Sequence, residues 1–329
     1  MKRYSNEEYH PVVTNPLSPN DGFGVNFKYL IYSVMYAELN KCKFVYSPFI
    51  KLQHNYDNDP DYIVKKEEMI NFMGNFELAT DNDVYILDNY TLLRFYYFNI
   101  NRCADSLSLK KIKNLFYINK TNPFNNLSIN IAIHIRRTNK GDYFIKSDND
   151  NNSRYDNSYD LLDLKIKNKE LQVHGLDVPD SLYITIINQF EDAFKYRNIN
   201  FHIFSQGDVE DFKFINNKNV ILHINENLED TFKQMVFADI LVTAPSTLSY
   251  TAAMMSNNTV YYIDYCDKPL PSWNIVQNYK NSRDHDFVLY HNIVDIKGSV
   301  VNDKVNKEYV IYDVETDTFI KTRRNVVEI

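Results

Sequence analysis

The sequence predicts an α/β protein built on parallel sheets, and three observations carry that prediction. From residue 128 onward, runs of β-branched and aromatic residues alternate with helical patterns, the order that builds parallel sheets with helices on both faces. In the first of these runs Ile129, Ile131, Ile133 and Ile135 alternate with small or polar residues, which is the period of a strand. The chain has 329 residues, 44% hydrophobic and 15% aromatic, with 26 Tyr and 21 Phe, enough for two cored domains of roughly 150 residues each.

Taken in order, Gly22 and Gly24 mark a tight turn, and Phe27, Leu30, Ile31, Val34, Met35 and Leu39 follow at helical spacing from Asn26. "KFVYSPF" reads as a short strand, which makes the segment the opening of an α/β unit. From "HNYDNDPDY" to about residue 82 the chain is polar and weakly patterned; then "VYILD" reads as a strand and "SLSLKKIKNLFYINK" as a helix. "TNPFNNLS", with Pro123 and clustered Asn, is the boundary expected between an N-terminal domain (1–125) and a C-terminal one (126–329).

After it come strand "INIAIHI", an Asp/Asn-rich loop from Lys140 to about Tyr159, helix "PDSLYITIINQFEDAFKYR", strands "FHIFSQG" and "NVILHI", helix "EDTFKQMVFA", strand "DILVTAP", helix "STLSYTAAMM" and strand "TVYYID". "NKEYVIYDVETDTFIKT" alternates like an edge hairpin.

The net charge of -7 argues against a nucleic-acid binder, whose footprint is basic. Three widely spaced cysteines, Cys42, Cys103 and Cys266, suit reduced thiols better than a disulfide framework. No signal-like apolar run opens the chain and no stretch of about 18 apolar residues follows, so a soluble, cytoplasmic protein without a transmembrane segment is expected.

Arg136 and Arg137 stand together at the tip of the isoleucine strand. Two guanidiniums at the end of a core strand call for an anion, because a charge drawn out of water needs a partner. In parallel sheets ligands sit beyond the carboxyl ends of the strands, and Arg136, Arg137, Gln206, Gly207, Ser246 and Thr247 all fall there. Ser246 and Thr247 open a helix directly after a buried strand, where amides, the helix dipole and hydroxyls suit a phosphate. Ser246 is equally suited to act as a plain helix cap.

These residues resemble the GDP-fucose-dependent fucosyltransferase superfamily of α1,6-, α1,2- and protein O-fucosyltransferases. "IHIRRTNK" is similar to the α1,6 motif H-V-R-R-T-D-K, "GDY" just after it to the α1,2 motif H-x-R-R-G-D-Y, and "DGFGVNF" to the N-terminal G-x-G-x-[NQ] loop, with Asn26 at the amide position. In "EDTFKQMVFADILVTAPSTLS", Asp230 precedes Ser246 by sixteen residues, the family spacing.

The resemblance implies a GT-B fold, two Rossmann-like domains with the donor in the cleft, and sugar transfer with inversion and no metal or other cofactor. It implies that the partners are GDP-fucose as donor and a glycan or glycoconjugate hydroxyl as acceptor. By it, Arg136 grips the β-phosphate, His134 and Arg137 support that site, Asp230 contacts guanosine, and Gly22, Gly24, Asn26, Lys140, Ser246, Thr247 and Leu248 complete the donor site. Asn139 and Gln206-Gly207 depart from the family, which has acids there, and leave the nucleobase open.

Asp142, in the loop after the arginines, is the expected base for the acceptor hydroxyl. Asp148, Asp150 and Asp156 are alternatives in the same loop. Competing readings are a metal-dependent transferase using Asp57-Asn58-Asp59, Asp81-Asn82-Asp83 or Asp148-Asn149-Asp150, and a non-catalytic nucleotide-sugar or glycan-binding module. The eight His show no ligand spacing.

Overall fold

Short strands with long apolar helices between them make two parallel sheets. The computed structural model describes residues 12–55, 58–80, 84–124, 127–137, 178–263, 267–276, 308–313 and 318–323. The first sheet holds β1 (Val12–Thr14), β2 (Lys43–Val45) and β3 (Tyr85–Ile86) in the order β2-β1-β3, all parallel. α1 (Phe23–Leu39) joins β1 to β2, and α2 (Tyr62–Ile70) lies between β2 and β3. After β3 come α3 (Asn89–Asp105), capped by the Asp88 carboxylate on the Thr91 amide at 2.8 Å, and α4 (Leu107–Tyr117), capped by Ser106 on Leu109 at 3.1 Å.

Four strands and helices expected from sequence recur here; β1, α2 and α3 do not appear in the periodicity reading. α1 also starts earlier than Asn26, at Phe23. Its burial extends nearly all round, from Phe23 to Ala37, as befits a helix enclosed by others.

The second sheet has six parallel strands: β4 (Ile129–His134), β5 (Ile199–Ser205), β6 (Val220–Ile224), β7 (Ile240–Val242), β8 (Thr259–Tyr262) and β9 (Asn274–Ile275), in the order β6-β5-β4-β7-β8-β9. Numbered from β4, that is 3-2-1-4-5-6, the doubly wound order whose direction reverses between β4 and β7. The connecting helices are α5 (Asp180–Ala193), α6 (Leu228–Phe237) and α7 (Thr247–Met255). The isoleucine ladder of β4 is buried at Ile131, Ile133 and Ile135, which is why it occupies the middle of the sheet.

One core joins the helices of both sheets. Phe232 of α6 meets Phe23 and Phe27 of α1 and Phe116 of α4, with ring centres 5.4, 6.1 and 5.6 Å apart. Residues 1–276 form one compact unit containing both sheets, and residues 277–329 form a second. The boundary expected at 125/126 falls between α4 and β4, where the chain passes from one sheet to the other. In the second unit β10 (Glu308–Asp313) and β11 (Thr318–Arg323) pair antiparallel, Asp313 against Thr318, as the alternating tail predicts. Among the described residues no helix is long and apolar enough to cross a membrane.

Candidate functional site

The end of β4 is pinned before the arginines begin. Ile135 gives its amide to the Phe204 carbonyl at 2.9 Å, and Ser205 gives its hydroxyl to the Ile135 carbonyl at 2.7 Å. Successive side chains then point to opposite faces. Arg137 bonds the Asp180 carboxylate of α5 at 2.5 Å, and its guanidinium lies 5.4 Å from the ring centres of both Phe212 and Phe214.

Arg136, half-buried, falls on the other side, the side of His134. His134 is buried, and burial first and the Arg136 charge second push its pKa down to about 3. At neutral pH its imidazole is therefore uncharged. Its Nδ1 finds no hydrogen-bond partner among the described residues.

β7 runs beside β4, with Val242 opposite Ile133, so the segment Thr243–Ser246 emerges next to Arg136 at the reversal point of the sheet. That segment is tied to itself. Ser249 Oγ accepts from the Ala244 amide at 3.1 Å and lies 3.3 Å from the Ser246 carbonyl. Ser246, 3% exposed, accepts from the Leu248 amide at 3.3 Å. Its hydroxyl is thus a helix cap, and what α7 offers a ligand is its remaining first-turn amides and the half-buried Thr247.

The N-terminal loop reaches this place through a glycine. A Cβ on Gly24 would lie 2.7 Å from the Leu248 nitrogen and 2.9 Å from the Thr247 carbonyl carbon. Only a residue without a side chain lets the first turns of α1 and α7 touch. Gly22 makes a similar approach to His54, whose Cδ2 would be 2.5 Å from an added Cβ.

Asn26, 2% exposed, is spent inside the loop: its Oδ1 accepts from the Ser18 amide at 3.0 Å, and its Nδ2 gives to the carbonyls of Ser18, Asp21 and Gly22 at 3.0, 3.2 and 3.1 Å. Gly24 and Asn26, expected at the donor, shape and place the loop through contacts within the protein.

Asp230 is exposed in the first turn of α6. Its amide goes to Asn227 Oδ1 at 2.8 Å, and its carboxylate accepts from Asn227 Nδ2 at 2.7 Å. The adjacent Glu229 takes the buried Lys66 of α2 at 2.5 Å. Asn225 spans the gap to the neighbouring loop, accepting from the Gly207 amide at 3.0 Å and giving to the Gly207 carbonyl at 2.8 Å. The structure therefore gathers Arg136, His134, Ser246, Thr247, Leu248, Gly22 and Gly24 at one meeting point, with Asp230 further along the same carboxyl edge.

Lys140 and Asp142 lie outside the described residues, as do the alternative bases and most of the Asp-x-Asp residues. Asp59 is described, and it bonds Lys65 at 2.6 Å. Among the described residues no group of three His, Cys, Asp or Glu could hold a metal ion.

Sequence reasoning missed the clamps: Ser205, Asn225 and Ser249 are ordinary polar residues whose partners are set by the sheet order. It also missed the ladder across β4, β5 and β6. His202 Nδ1 and His223 Nε2 are 2.9 Å apart, His223 Nδ1 lies 2.7 Å from Glu226, and His202 Nε2 lies 3.3 Å from Asn130 Oδ1.

Burial, then the neighbouring His223, push the His202 pKa down to about 4. The folded state thus binds fewer protons than the unfolded chain below the ordinary His value of 6.5. Stability is full above that value and falls as pH drops towards 4 and then 3, by at most about 1.4 kcal/mol per pH unit for each histidine. Melting curves between pH 7 and pH 4 should show this decline, and His134→Asn should make it shallower. A flat profile in the wild type would contradict the assignment.

Neither family models nor curated proteins match this chain. Among solved structures it is similar to POFUT1 in complex with GDP, at 11% identity and a TM-score of 0.39 over 77% of this chain and 98% of that one. It is also similar to the NodZ α1,6-fucosyltransferase co-crystallized with GDP, at 9% identity and a TM-score of 0.34 over 78% and 96% of the two chains. The same enzyme soaked with GDP-fucose gives 8% identity and a TM-score of 0.31, over 75% and 93%.

Proposed function

We propose that this chain is an inverting, metal-independent glycosyltransferase that takes its sugar from a nucleoside diphosphate donor, GDP-fucose foremost, and passes it to a glycan hydroxyl. The observation that supports this reading best is the position of Arg136. It stands at the end of the central strand β4, at the reversal point of a 3-2-1-4-5-6 sheet, beside the first turn of α7. A doubly wound sheet binds its ligand there, and a guanidinium with helix amides forms a set of donors suited to a diphosphate.

In sugar transfer the bond from the anomeric carbon to the β-phosphate oxygen breaks, and negative charge grows on that oxygen. Arg136 and the α7 amides are in place before the charge appears, so they lower the barrier without reorganising. The neutral His134 supports the strand end without competing for the anion. Arg137, occupied by Asp180 and two rings, braces the site from the other face. Asp230, at the same edge, is suited to the nucleoside end.

Isothermal calorimetry in the presence of EDTA tests the reading. GDP and GDP-fucose should bind, more tightly than UDP and UDP sugars, with the chelator present. A preference for UDP would overturn the guanosine assignment, and binding that requires manganese would overturn the metal-free one.

A further inference from the structure

The group that removes the acceptor's proton is the part of the reaction still without a placed residue. Asp21 occupies the loop between β1 and α1, at the reversal point of the first sheet. It immediately precedes Gly22 and lies three residues before Gly24, whose backbone touches Leu248 at the reversal point of the second. The carboxyl-end loops of the two sheets thus meet where Gly24 touches Leu248, with Asp21 in one loop and, in the other, the first turn of α7 after the strand that pairs with β4.

The backbone at Asp21 is held from several directions. Its amide gives to the Ser18 carbonyl at 3.0 Å, and its carbonyl accepts from the Gln53 amide at 3.1 Å and from Asn26 Nδ2 at 3.2 Å. No hydrogen bond from a described residue engages the carboxylate. The backbone is fixed, and Lys28 and His54 are the charges that act on the acid.

We propose that Asp21 is the general base of the transfer, an assignment that rests on the glycosyltransferase reading. The acceptor O–H gives its proton to an Asp21 carboxylate oxygen, the acceptor oxygen forms the new bond to the anomeric carbon, and the diphosphate leaves with the electron pair of the broken bond. Its environment suits the task. Burial raises the Asp21 pKa above the ordinary carboxylate value, with Lys28 of α1 and His54 of the loop before α2 acting against that rise. A base works best when its pKa lies nearer the operating pH. The sign follows: the rate should climb as pH rises through that raised pKa, because only the ionised carboxylate accepts a proton.

Water can stand in for the acceptor, so the test needs only the full chain and GDP-fucose. The expected result is slow GDP release by the wild type, with a rising acidic limb in its pH profile. Asp21→Asn should lower release by about 100-fold or more, abolish that limb, and keep GDP affinity within about twofold by calorimetry. If Asp21→Asn releases GDP like the wild type, Asp21 is not the base although the transferase reading stands. A wild type that binds no GDP, or releases none from GDP-fucose, overturns the transferase reading and the base together.

Discussion

Arg136→Ala is expected to remove turnover almost completely and to weaken GDP binding while the protein stays folded. A charged hydrogen bond contributes roughly 1.5 to 3 kcal/mol, and losing one preorganised donor to a developing anion costs about 100- to 1000-fold in rate. The fold should survive because the strand end is fixed by backbone and by Ser205, through bonds of 2.9 and 2.7 Å that do not involve the Arg136 side chain. Arg136→Lys should fail as well, since a point charge cannot present two parallel donors to a diphosphate.

Arg137→Ala supplies the contrast. It removes the Asp180 pair and the contact with Phe212 and Phe214, so it should lower the melting temperature more than it lowers GDP affinity. Calorimetry and GDP release for the three variants decide the matter. Wild-type GDP affinity in Arg136→Ala would make the arginines structural and remove the main support for the transferase reading.

That contrast shows what a sequence can and cannot say about a site. The place of Arg136 was legible because the isoleucine ladder before it has a strand period that nothing else mimics, and because Ser246 follows an equally apolar strand. Their roles were legible only in part. Ser246 was expected either to cap or to bind a phosphate, and the cap uses its hydroxyl. Gly24 was expected in a donor loop, but the reason for a glycine is the backbone of Leu248, which is adjacent only once both sheets have formed. Asp21 carries no signal of its own, since an acid in a polar loop is ordinary until that loop is found against the first turn of α7 through Gly24.

The missed elements have equally physical causes. β1 has three residues, too few to show alternation. α3 presents Leu92, Tyr96, Ile100 and Cys103 to the core, a helical spacing hidden by the tyrosines and phenylalanines between them. The Asp88 cap before it was the available signal.

Lys28→Met is expected to be the most destabilising of the single substitutions considered. Lys28 lies mid-helix in α1, 4% exposed, and its Nζ is 3.1 and 3.0 Å from the two carboxylate oxygens of Asp267, 3% exposed. The two are 239 positions apart, so no local pattern could pair them. Around them Tyr32 stacks on Tyr96 with ring centres 4.1 Å apart, the Tyr250 hydroxyl gives to that of Tyr96 at 2.9 Å, and Tyr32 lies 3.2 Å from Tyr250.

Taking the lysine away removes a cation bonded to a buried carboxylate, at a cost of about 3 to 5 kcal/mol, whereas replacing both partners with apolar residues of similar volume is often neutral. Urea unfolding should therefore rank wild type and Lys28→Met/Asp267→Leu close together, with Lys28→Met far below both. Because this pair fixes α1 one turn beyond Gly24, the single variant should also weaken GDP binding although Lys28 is bound to Asp267 and not to the nucleotide. The double variant should restore it. A double variant as unstable as the single one would show that the apolar pair cannot replace the ion pair, and that the charges themselves hold α1 against the Asp267 loop.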